Sequence, residues 1–379
     1  MNFFARACLT GLVLLVSACG VEVPQGMAND DAGTPVDAGL PQIKTGVAVL
    51  GGGVHTAASV VIKPFAGPAD GLNRPRDLAF NPESPSDLWV PNYADNSMVI
   101  LKNAGTPQQT KLKKSGPGSE HFMPRPVAMA FGQAGRMATV HEEDRITQPS
   151  TPADFMGPTL WSTDASFEGG HASHYDMLHN SPNAVGIAWE RLNVYWVFDG
   201  YHNSITRYDF ASDHGPGGAD HSDGFIGRYV EGQVLYTRGV SSHMEFDQKT
   251  KLLYIADTGN HRIAVLKTDS GKAGAALNPN YDGCPQYRVN DAVIATFADT
   301  NLKKPSGLAL RDGLVFVSDN ETSQVLAFDA NAQLVDYLDL SSELMPGSLM
   351  GIEFDAQGRL YVVDEKTSRV LQISAKPEN

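Results

Sequence analysis

Histidine side chains are concentrated in one short stretch of the chain. Residues 167–180 read FEGGHASHYDMLHN and contain His171, His174 and His179, three of the 11 histidines in the sequence. Spacings of three and five residues let one connection direct several imidazoles at a single ion, and imidazole is the commonest protein ligand for metals. Asp176 lies between them and could orient a ligating ring. The alternative is a polar insertion in which histidine occurs by chance.

A second stretch combines acids, histidines and glycines. Residues 209–224 read DFASDHGPGGADHSDG. Its glycines permit a tight backbone, and crowded carboxylates need a cation to offset their repulsion. The spacing does not match an EF-hand, so we expect either a separate structural Ca²⁺ site or a solvated acidic loop. The candidate ligands are Asp213, His214, Asp220, His221 and Asp223.

The elements that must position these stretches are short strands in a repeated phrase. The fullest copy, LYIADTGNHRIAVLK, begins at Leu253, and its two apolar alternations around a polar turn predict a β-hairpin. Shorter apolar runs precede the hairpins, and about four strands per unit at this period predict an all-β, six-bladed β-propeller. The last apolar residues of the six runs recur every 44 to 64 residues, at Phe80, Phe131, Trp189, Phe246, Leu310 and Phe354.

The same phrase resembles the NHL repeat, the blade of a widespread group of propellers. Residues 257–263 match its D-T-G-N-H-R-I half, and Pro305, Gly307 and Leu308 match its P-x-G-[LI]-A half. In the peptidyl-α-hydroxyglycine α-amidating lyase of this group, zinc is held by histidines in P-H-[GSD] runs at the strand starts. The resemblance does not carry that activity over, because no histidine stands at the corresponding positions, Arg76, Val127, Val185, Ser242, Ser306 and Met350.

Strand direction in a propeller sorts residues by face. The first strand of each blade starts at one end of the central channel, here called the top, and the second strand returns to it. By this rule His243 begins a first strand, His141 ends a second strand, and His179 lies in a connection at the same end. We therefore predict a top-face Zn²⁺ site at these three residues, with His171 and His174 as further ligands.

The first and last strands of the propeller are expected to pair in the last blade. The segment RLYVVDEKTSRVLQIS, starting at Arg359, runs out after the second and third strands of its unit. The stretch SVVIKPFAG at Ser59 has the alternation of a strand. The sequence thus predicts a ring that an N-terminal strand closes.

The N-terminus reads as a secretory signal of residues 1–18. An apolar stretch ends in Val16-Ser17-Ala18-Cys19, which resembles the bacterial lipobox, so we expect Cys19 to carry palmitate and other acyl chains. The alternative is an ordinary signal peptide cut near Ala18. Residues 19–45 should be a lipidated, disordered tether, and residues 46–379 the propeller. The absence of Asp after Cys19 favours the outer membrane of a bacterial envelope.

Composition excludes several classes of partner. A formal net charge of −14 argues against nucleic acid and against docking on anionic lipid, which leaves the lipid anchor as the membrane contact. Of three cysteines, Cys8 leaves with the signal and Cys19 carries lipid, so Cys284 alone cannot form a disulfide within the domain. We expect a monomer.

Two functions from different classes follow. The first is a metal-binding module for an extracytoplasmic protein, peptide or glycan. The second is a metal-dependent hydrolase or lyase, in which water on the top-face metal attacks a substrate and Glu142 or Asp199 acts as base.

Overall fold

The strands of the chain form six antiparallel blades. The computed structural model describes residues 46–145, 156–164 and 166–377. The chain divides into the units Met1–Gly39 and Leu40–Asn379, and the described residues belong to the second. The predicted signal (1–18), the tether (19–45) and Cys19 lie outside the described residues. Within them, the order of the strands confirms the prediction of an all-β, six-bladed propeller.

The first three blades follow the chain without a break. Blade one contains β2–β5 (Ala79–Asn81, Ser84–Asn92, Ser97–Lys102, Thr110–Lys114), blade two β6–β9 (Pro126–Phe131, Arg136–His141, Thr159–Ser162, His174–Met177), and blade three β10–β13 (Ala184–Arg191, Val194–Asp199, Ser204–Asp209, Phe225–Tyr229). The short helix α1 (Ser119–Phe122) precedes the first strand of blade two. A 3₁₀ turn at His171–Ser173 precedes β9, the last strand of that blade.

The remaining blades differ in how the chain enters them. Blade four contains β14–β16 and β19 (Met244–Asp247, Leu252–Asp257, Arg262–Lys267, Ile294–Ala298), blade five β20–β23 (Pro305–Arg311, Leu314–Asp319, Gln324–Phe328, Leu334–Asp339), and blade six β24–β26 with β1 (Leu349–Phe354, Leu360–Asp364, Arg369–Ala375, Val60–Ala66). Further 3₁₀ turns lie at Ala48–Leu50, Ala57–Ser59, Pro68–Asp70 and Thr258–Asn260.

Strand β1 closes the ring as predicted. It pairs antiparallel with β26, with Val60 opposite Ala375 and Ala66 opposite Val370. The pairing supplies the fourth strand of blade six and covers the backbone groups that β26 would otherwise leave at an open edge. Closure therefore joins the two ends of the ring by backbone pairing, in a part of the chain where Cys284 is the one cysteine described.

An insertion from blade four docks on blade three. The hairpin of β17 (Lys272–Ala276) and β18 (Gln286–Asn290) adds to the blade-three sheet, where β18 runs parallel to β13. Cys284 in this hairpin is fully buried among apolar side chains, and burial raises the pKa of its thiol to about 12. The thiol is thus an unreactive core group.

The hairpin turns at the top are fixed by buried acids or amides at the ends of the second strands. Asp319, for example, accepts hydrogen bonds from the backbone N–H of Glu321 and Thr322. This is the capping role that short Asp and Asn side chains perform in turns. The residues at this position in five blades are fully buried: Asn92, Asp199, Asp257, Asp319 and Asp364.

The first strands pack closely around the central channel. A Cβ atom at Gly186 would lie 1.8 Å from the carbonyl oxygen of Ser242, and one at Gly351 would lie 2.9 Å from Cε1 of His243. Glycine is required there because the neighbouring first strand occupies the space. In the described residues, no helix is long and apolar enough to cross a membrane.

Candidate functional site

A cavity lies in the central channel of the described residues. It has a volume of about 600 Å³, and Asp77 and His243 line it near the top. At the other end it reaches the hairpins that contain Glu83 and Gln133. The sequence placed the functional site at the top face, whereas the cavity extends toward the bottom.

Four carboxyl groups, those of Asp77, Glu83, Glu245 and Glu353, and the imidazole of His243 line this cavity in a mostly apolar wall. Burial raises the pKa of Asp77, raises that of Glu245 well above its usual range, and raises that of Glu353 to about 7. The nearby carboxyl of Glu353 raises the pKa of Glu245 further. No Lys or Arg stands among the described residues that line the cavity. The channel therefore holds acids that a cationic group could convert to carboxylates.

Asp77 and His243 form a pair in the channel wall. His243 Nδ1 lies 3.4 Å from Asp77 Oδ1, and its Nε2 lies 3.4 Å from the carbonyl oxygen of Val127. Both Asp77 oxygens also accept backbone N–H groups, from Leu78 and Met129, at 2.8 Å. These contacts give His243 polar partners in the channel wall.

The candidate base Glu142 is held by three donors at the top of the channel. Arg76 donates to Oε2 at 2.5 Å, while the Gly239 N–H, at 2.6 Å, and the Tyr236 hydroxyl donate to Oε1. The Arg76 guanidinium also stacks on the Tyr93 ring at 3.7 Å. Both carboxylate oxygens of Glu142 thus already accept hydrogen bonds from protein donors.

Asp199, the other candidate base, caps a turn. Its oxygens accept the backbone N–H of His202 at 3.0 Å and the His202 Nδ1–H at 2.7 Å. Its role is thus the same as that of the buried acids in the other blades.

The structure does not bring His141, His179 and His243 together, although the sequence predicted one site for them. Among the residues described, they form no group of ligand atoms within 4.8 Å of one another. His141 Nδ1 donates to the Gly157 carbonyl at 3.2 Å, and its Nε2 lies 3.0 Å from the Thr139 hydroxyl. Burial lowers the pKa of His141 to about 3. His179 Nδ1 donates to Asp282 at 2.6 Å.

The prediction that His171, His174 and His179 share one top-face connection is wrong. Residues 174–177 form β9, the outer strand of blade two, so His171 and His174 lie at its start and His179 follows its end. The sequence missed this strand because four residues with buried and half-buried side chains give too short an alternation to recognise. The histidines before β9 therefore face the loop that follows β12 in blade three.

That loop and β9 form one cluster across the boundary between two blades. The His214 N–H donates to the Tyr175 carbonyl at 3.1 Å, and the Gly217 N–H to the His174 carbonyl at 2.9 Å. The His214 ring centroid lies 5.0 Å from that of His174 and 5.1 Å from that of His221. Two stretches that the sequence assigned to separate sites thus meet.

The ligand atoms of Asp176, His214 and His221 all lie within 4.8 Å of one another. His221 Nδ1 donates to Asp176 Oδ1 at 2.8 Å. Asp176 is 1 % exposed, and burial raises the pKa of its carboxyl. The hydrogen bond with that carboxylate raises the pKa of His221 despite burial, and burial lowers the pKa of His174 to about 4. We call these three residues, with His174 beside them, the rim cluster.

The three other candidate acids of the loop have different partners. Arg136 donates to Asp213 at 2.9 and 3.0 Å, while Asp220 accepts the Ser222 hydroxyl at 2.7 Å. Asp223 accepts the Ser212 N–H at 3.2 Å. None of the three belongs to the group of ligand atoms that the described residues form.

Sequence reasoning missed two acids of the channel. Glu245 and Glu353 each stand one residue before the apolar residue that marks a first strand, where the other blades carry alanine. Glutamate in place of alanine at this one position of two blades is the signal that the sequence contains.

Comparison with known proteins supports the propeller assignment. No protein-family model matches the chain. The NHL repeat-containing protein 2 of Gallus gallus is 26 % identical over 99 residues, which are 24 % of this chain and 12 % of that protein. The match thus spans a small part of that relative.

Solved structures share the fold at low identity. An auxiliary nutrient binding protein from Bacteroides ovatus aligns with 84 % of this chain and 77 % of its own, at 14 % identity and a TM-score of 0.52. One from Bacteroides thetaiotaomicron aligns with 82 % and 69 %, at 12 % identity and a TM-score of 0.52. A catalytically inactive virginiamycin B lyase from Staphylococcus aureus with quinupristin aligns with 83 % and 99 %, at 10 % identity and a TM-score of 0.50. The likeness to solved structures shows the fold, a six-bladed β-propeller, and the short match to an NHL repeat-containing protein is consistent with a propeller of NHL type.

Proposed function

We propose that this protein is a binding propeller of the bacterial cell envelope that holds an extracytoplasmic ligand in its central channel. The observation that carries the proposal is the channel cavity of about 600 Å³ with Asp77, Glu245 and Glu353 in its wall. A cavity of this size receives a side chain or a sugar unit rather than a folded domain. The nutrient-binding propellers among the structural neighbours support a binding role.

The charge of the wall selects the ligand. Carboxyl groups that burial keeps protonated lose their protons when a cation enters, because the ion pair offsets the loss of hydration. We therefore propose a ligand with an ammonium group, presented by a peptide, a protein or an amino-bearing glycan. His243 and the apolar side chains of Phe80 and Trp189 complete the wall around it.

The test is calorimetric titration with a lysine tripeptide, Gly-Lys-Gly, and with its Nε-acetylated counterpart as the matched neutral probe. Glucosamine and N-acetylglucosamine form the equivalent glycan pair. We expect the charged member of at least one pair to bind about tenfold more tightly, since each lost ion pair in a buried site costs more than about 1.4 kcal/mol. Equal affinity within both pairs would contradict the proposal.

Variants assign the binding to the channel. Replacement of Glu245 and Glu353 by glutamine keeps the size of the side chains and removes their ability to ionise. The double variant should lose the preference for the charged probe, whereas Asp220→Asn, on an exposed loop outside the channel, should keep it. Circular dichroism checks that all three proteins are folded.

The envelope location rests on the N-terminal residues and has its own test. Cys19→Ser should leave the propeller folded and release it from membranes or stall its processing. The measurement is partition in a detergent phase separation. Wild-type protein in the aqueous phase would rule out the lipid anchor at Cys19.

The alternative of a hydrolase or lyase with a top-face metal is less well supported. It needs several histidines around one ion and a carboxylate able to act as base. His141, His179 and His243 have separate partners, and Glu142 is fully paired.

A further inference from the structure

The rim cluster has the hydrogen-bond pattern of prearranged metal ligands. His214 Nδ1 lies 2.6 Å from the Gly215 carbonyl oxygen, and His174 Nδ1 lies 2.6 Å from that of His171. A carbonyl only accepts, so each Nδ1 carries the proton and each Nε2 presents a lone pair. His221 Nδ1 is likewise fixed as a donor by Asp176 Oδ1. A ring nitrogen that is oriented by an oxygen on its other side is typical of metal-binding histidines.

Two polar atoms of the rim cluster have no partner among the described residues. His214 Nε2 and Asp176 Oδ2 are both buried and accept no hydrogen bond from any residue that the structure describes. Asp176 is 1 % exposed, so bulk solvent does not reach its carboxylate. A buried acceptor without a partner costs about 1–3 kcal/mol, and a bound cation removes that cost.

We propose that Asp176, His214 and His221 bind one divalent transition-metal ion, with Zn²⁺ as the first choice, at the boundary of blades two and three. Two imidazole nitrogens with one carboxylate suit Zn²⁺, whereas Ca²⁺ takes six to eight oxygen ligands. The ligand set therefore favours zinc over the calcium that the sequence of this loop suggested. Small side-chain rotations bring atoms within 4.8 Å of one another to the spacing of about 3.3 Å that Zn–ligand bonds near 2 Å require.

His174 is the nearest candidate for a fourth ligand. Its ring lies beside that of His214, with 5.0 Å between their centroids, and its Nδ1 is already fixed as a donor. A fourth protein ligand would make the site closed and structural rather than catalytic.

The position of the site gives the metal a structural role. Asp176 comes from the outer strand of blade two, and the two histidines come from the loop between β12 and β13 of blade three. One ion would tie two neighbouring blades in a domain where Cys284 is the single cysteine of the residues described. This inference is independent of the ligand in the channel, because Asp77, Glu245 and Glu353 take no part in it.

The test is the metal content of the full-length protein, purified in detergent without a polyhistidine tag and supplied with equimolar Zn²⁺. We expect about one zinc per chain after gel filtration. The apo protein should also give the visible absorption bands of tetrahedral Co²⁺ when cobalt is added. Absence of both zinc retention and a cobalt spectrum would overturn the proposal without reliance on any variant, as would retention of calcium in place of zinc.

Variants then locate the metal. His214→Gln and His221→Gln should each weaken zinc binding at least about tenfold, since each removes a ligand. Asp220→Asn changes an acid of the same loop outside the group, so it should keep the full zinc content. His243→Gln probes the top-face site that the sequence predicted. Zinc lost in His243→Gln and kept in His214→Gln would overturn the rim site in favour of the top face.

Discussion

Two of the Asp–His pairs in the described residues, one in the channel and one at the rim, have surroundings that differ in one atom. In the channel, both Asp77 oxygens accept backbone N–H groups, and His243 Nδ1 lies 3.4 Å away. At the rim, Asp176 Oδ1 accepts the Met177 N–H and His221 Nδ1, while Oδ2 has no partner among the described residues. Both carboxylate oxygens of the channel aspartate thus have hydrogen-bond donors, whereas one buried oxygen of the rim aspartate has none among the described residues. The two pairs therefore differ in the second carboxylate oxygen of the aspartate, which is bonded in the structural contact of the channel and without a donor in the proposed ligand site of the rim.

The two regions also differ in how the fold builds them. The channel acids come from first strands of different blades, so they meet only when the ring is closed. The rim cluster needs contacts between blades two and three alone. A substitution in one region should therefore leave the other region unchanged, whereas opening of the ring should affect both regions.

Opening of the ring should have the largest effect. A chain that starts at about Gly67 lacks β1 and exposes the edge of β26, while one that starts at about Thr45 keeps the whole blade. Loss of the buried side chains of β1, at about 1.5–3 kcal/mol each, should lower the melting temperature by more than about 10 °C or cause aggregation. Differential scanning calorimetry compares the two. Equal melting temperatures would show that β1 does not close the ring.

Replacement of one acid of the channel, Glu353, should stabilise the ligand-free protein. Burial raises the pKa of Glu353 from its usual value to about 7, and Asp77, Glu245 and Arg311 are the charged groups near it. A raised folded-state pKa means that the folded state loses stability as the pH rises from about 4.5 to 7. Glu353→Gln removes this loss, so it should stabilise at pH 8 by at most about 3 kcal/mol and have little effect at pH 4.5.

Urea denaturation at both pH values measures that difference. Glu120→Gln is the matched control, because Glu120 is exposed and outside the channel. A variant that is less stable than the wild type at pH 8 would show that Glu353 makes a stabilising interaction there, and the channel would no longer contrast with the rim.

Metal should stabilise through the rim and not through the channel. At a free Zn²⁺ concentration of about 100 times Kd, binding adds about 2.7 kcal/mol and raises the melting temperature by several degrees. The rise in melting temperature should persist in His243→Gln, which alters the channel pair, and disappear in His221→Gln, which alters the rim pair. An EDTA wash should reverse it. A shift that is equal in both variants would remove the distinction between the pairs.

The sequence predicted the parts of the molecule that repeat. The hairpin phrase and the closing strand at Val60 follow from alternation and turn residues, which are local properties of the chain. The sites were harder because they depend on which loops become neighbours. His174 was placed in a connection because the four-residue strand β9 has no recognisable period, and this moved it to the wrong end of the blade.

The residues of the rim could be found by composition, but their grouping could not. His214 and His221 stood out in a loop rich in acids, yet the acids next to them in sequence bind elsewhere, since Asp213 pairs with Arg136. The carboxylate that joins the two histidines is Asp176, 38 residues before His214 in the chain. A contact of that kind is set by the packing of two blades, which no local pattern encodes.

The smallest predicted effect concerns the glycines of the blade-three loop. A Cβ atom at Gly218 would lie 2.5 Å from His214 Nδ1, so alanine there must displace the ring that carries the free Nε2. Gly218→Ala should therefore cost about 1–2 kcal/mol of folding stability and weaken zinc binding, while cation binding in the channel stays unchanged. Gly67→Ala is the matched control, because a Cβ atom at Gly67 meets nothing within 4 Å. Calorimetric titration with Zn²⁺ and with Gly-Lys-Gly measures both sites in each variant. If Gly218→Ala binds zinc as the wild type does, the position of the His214 ring is not what makes the rim cluster a metal site, and the contrast with the channel pair would have to rest on Asp176 alone.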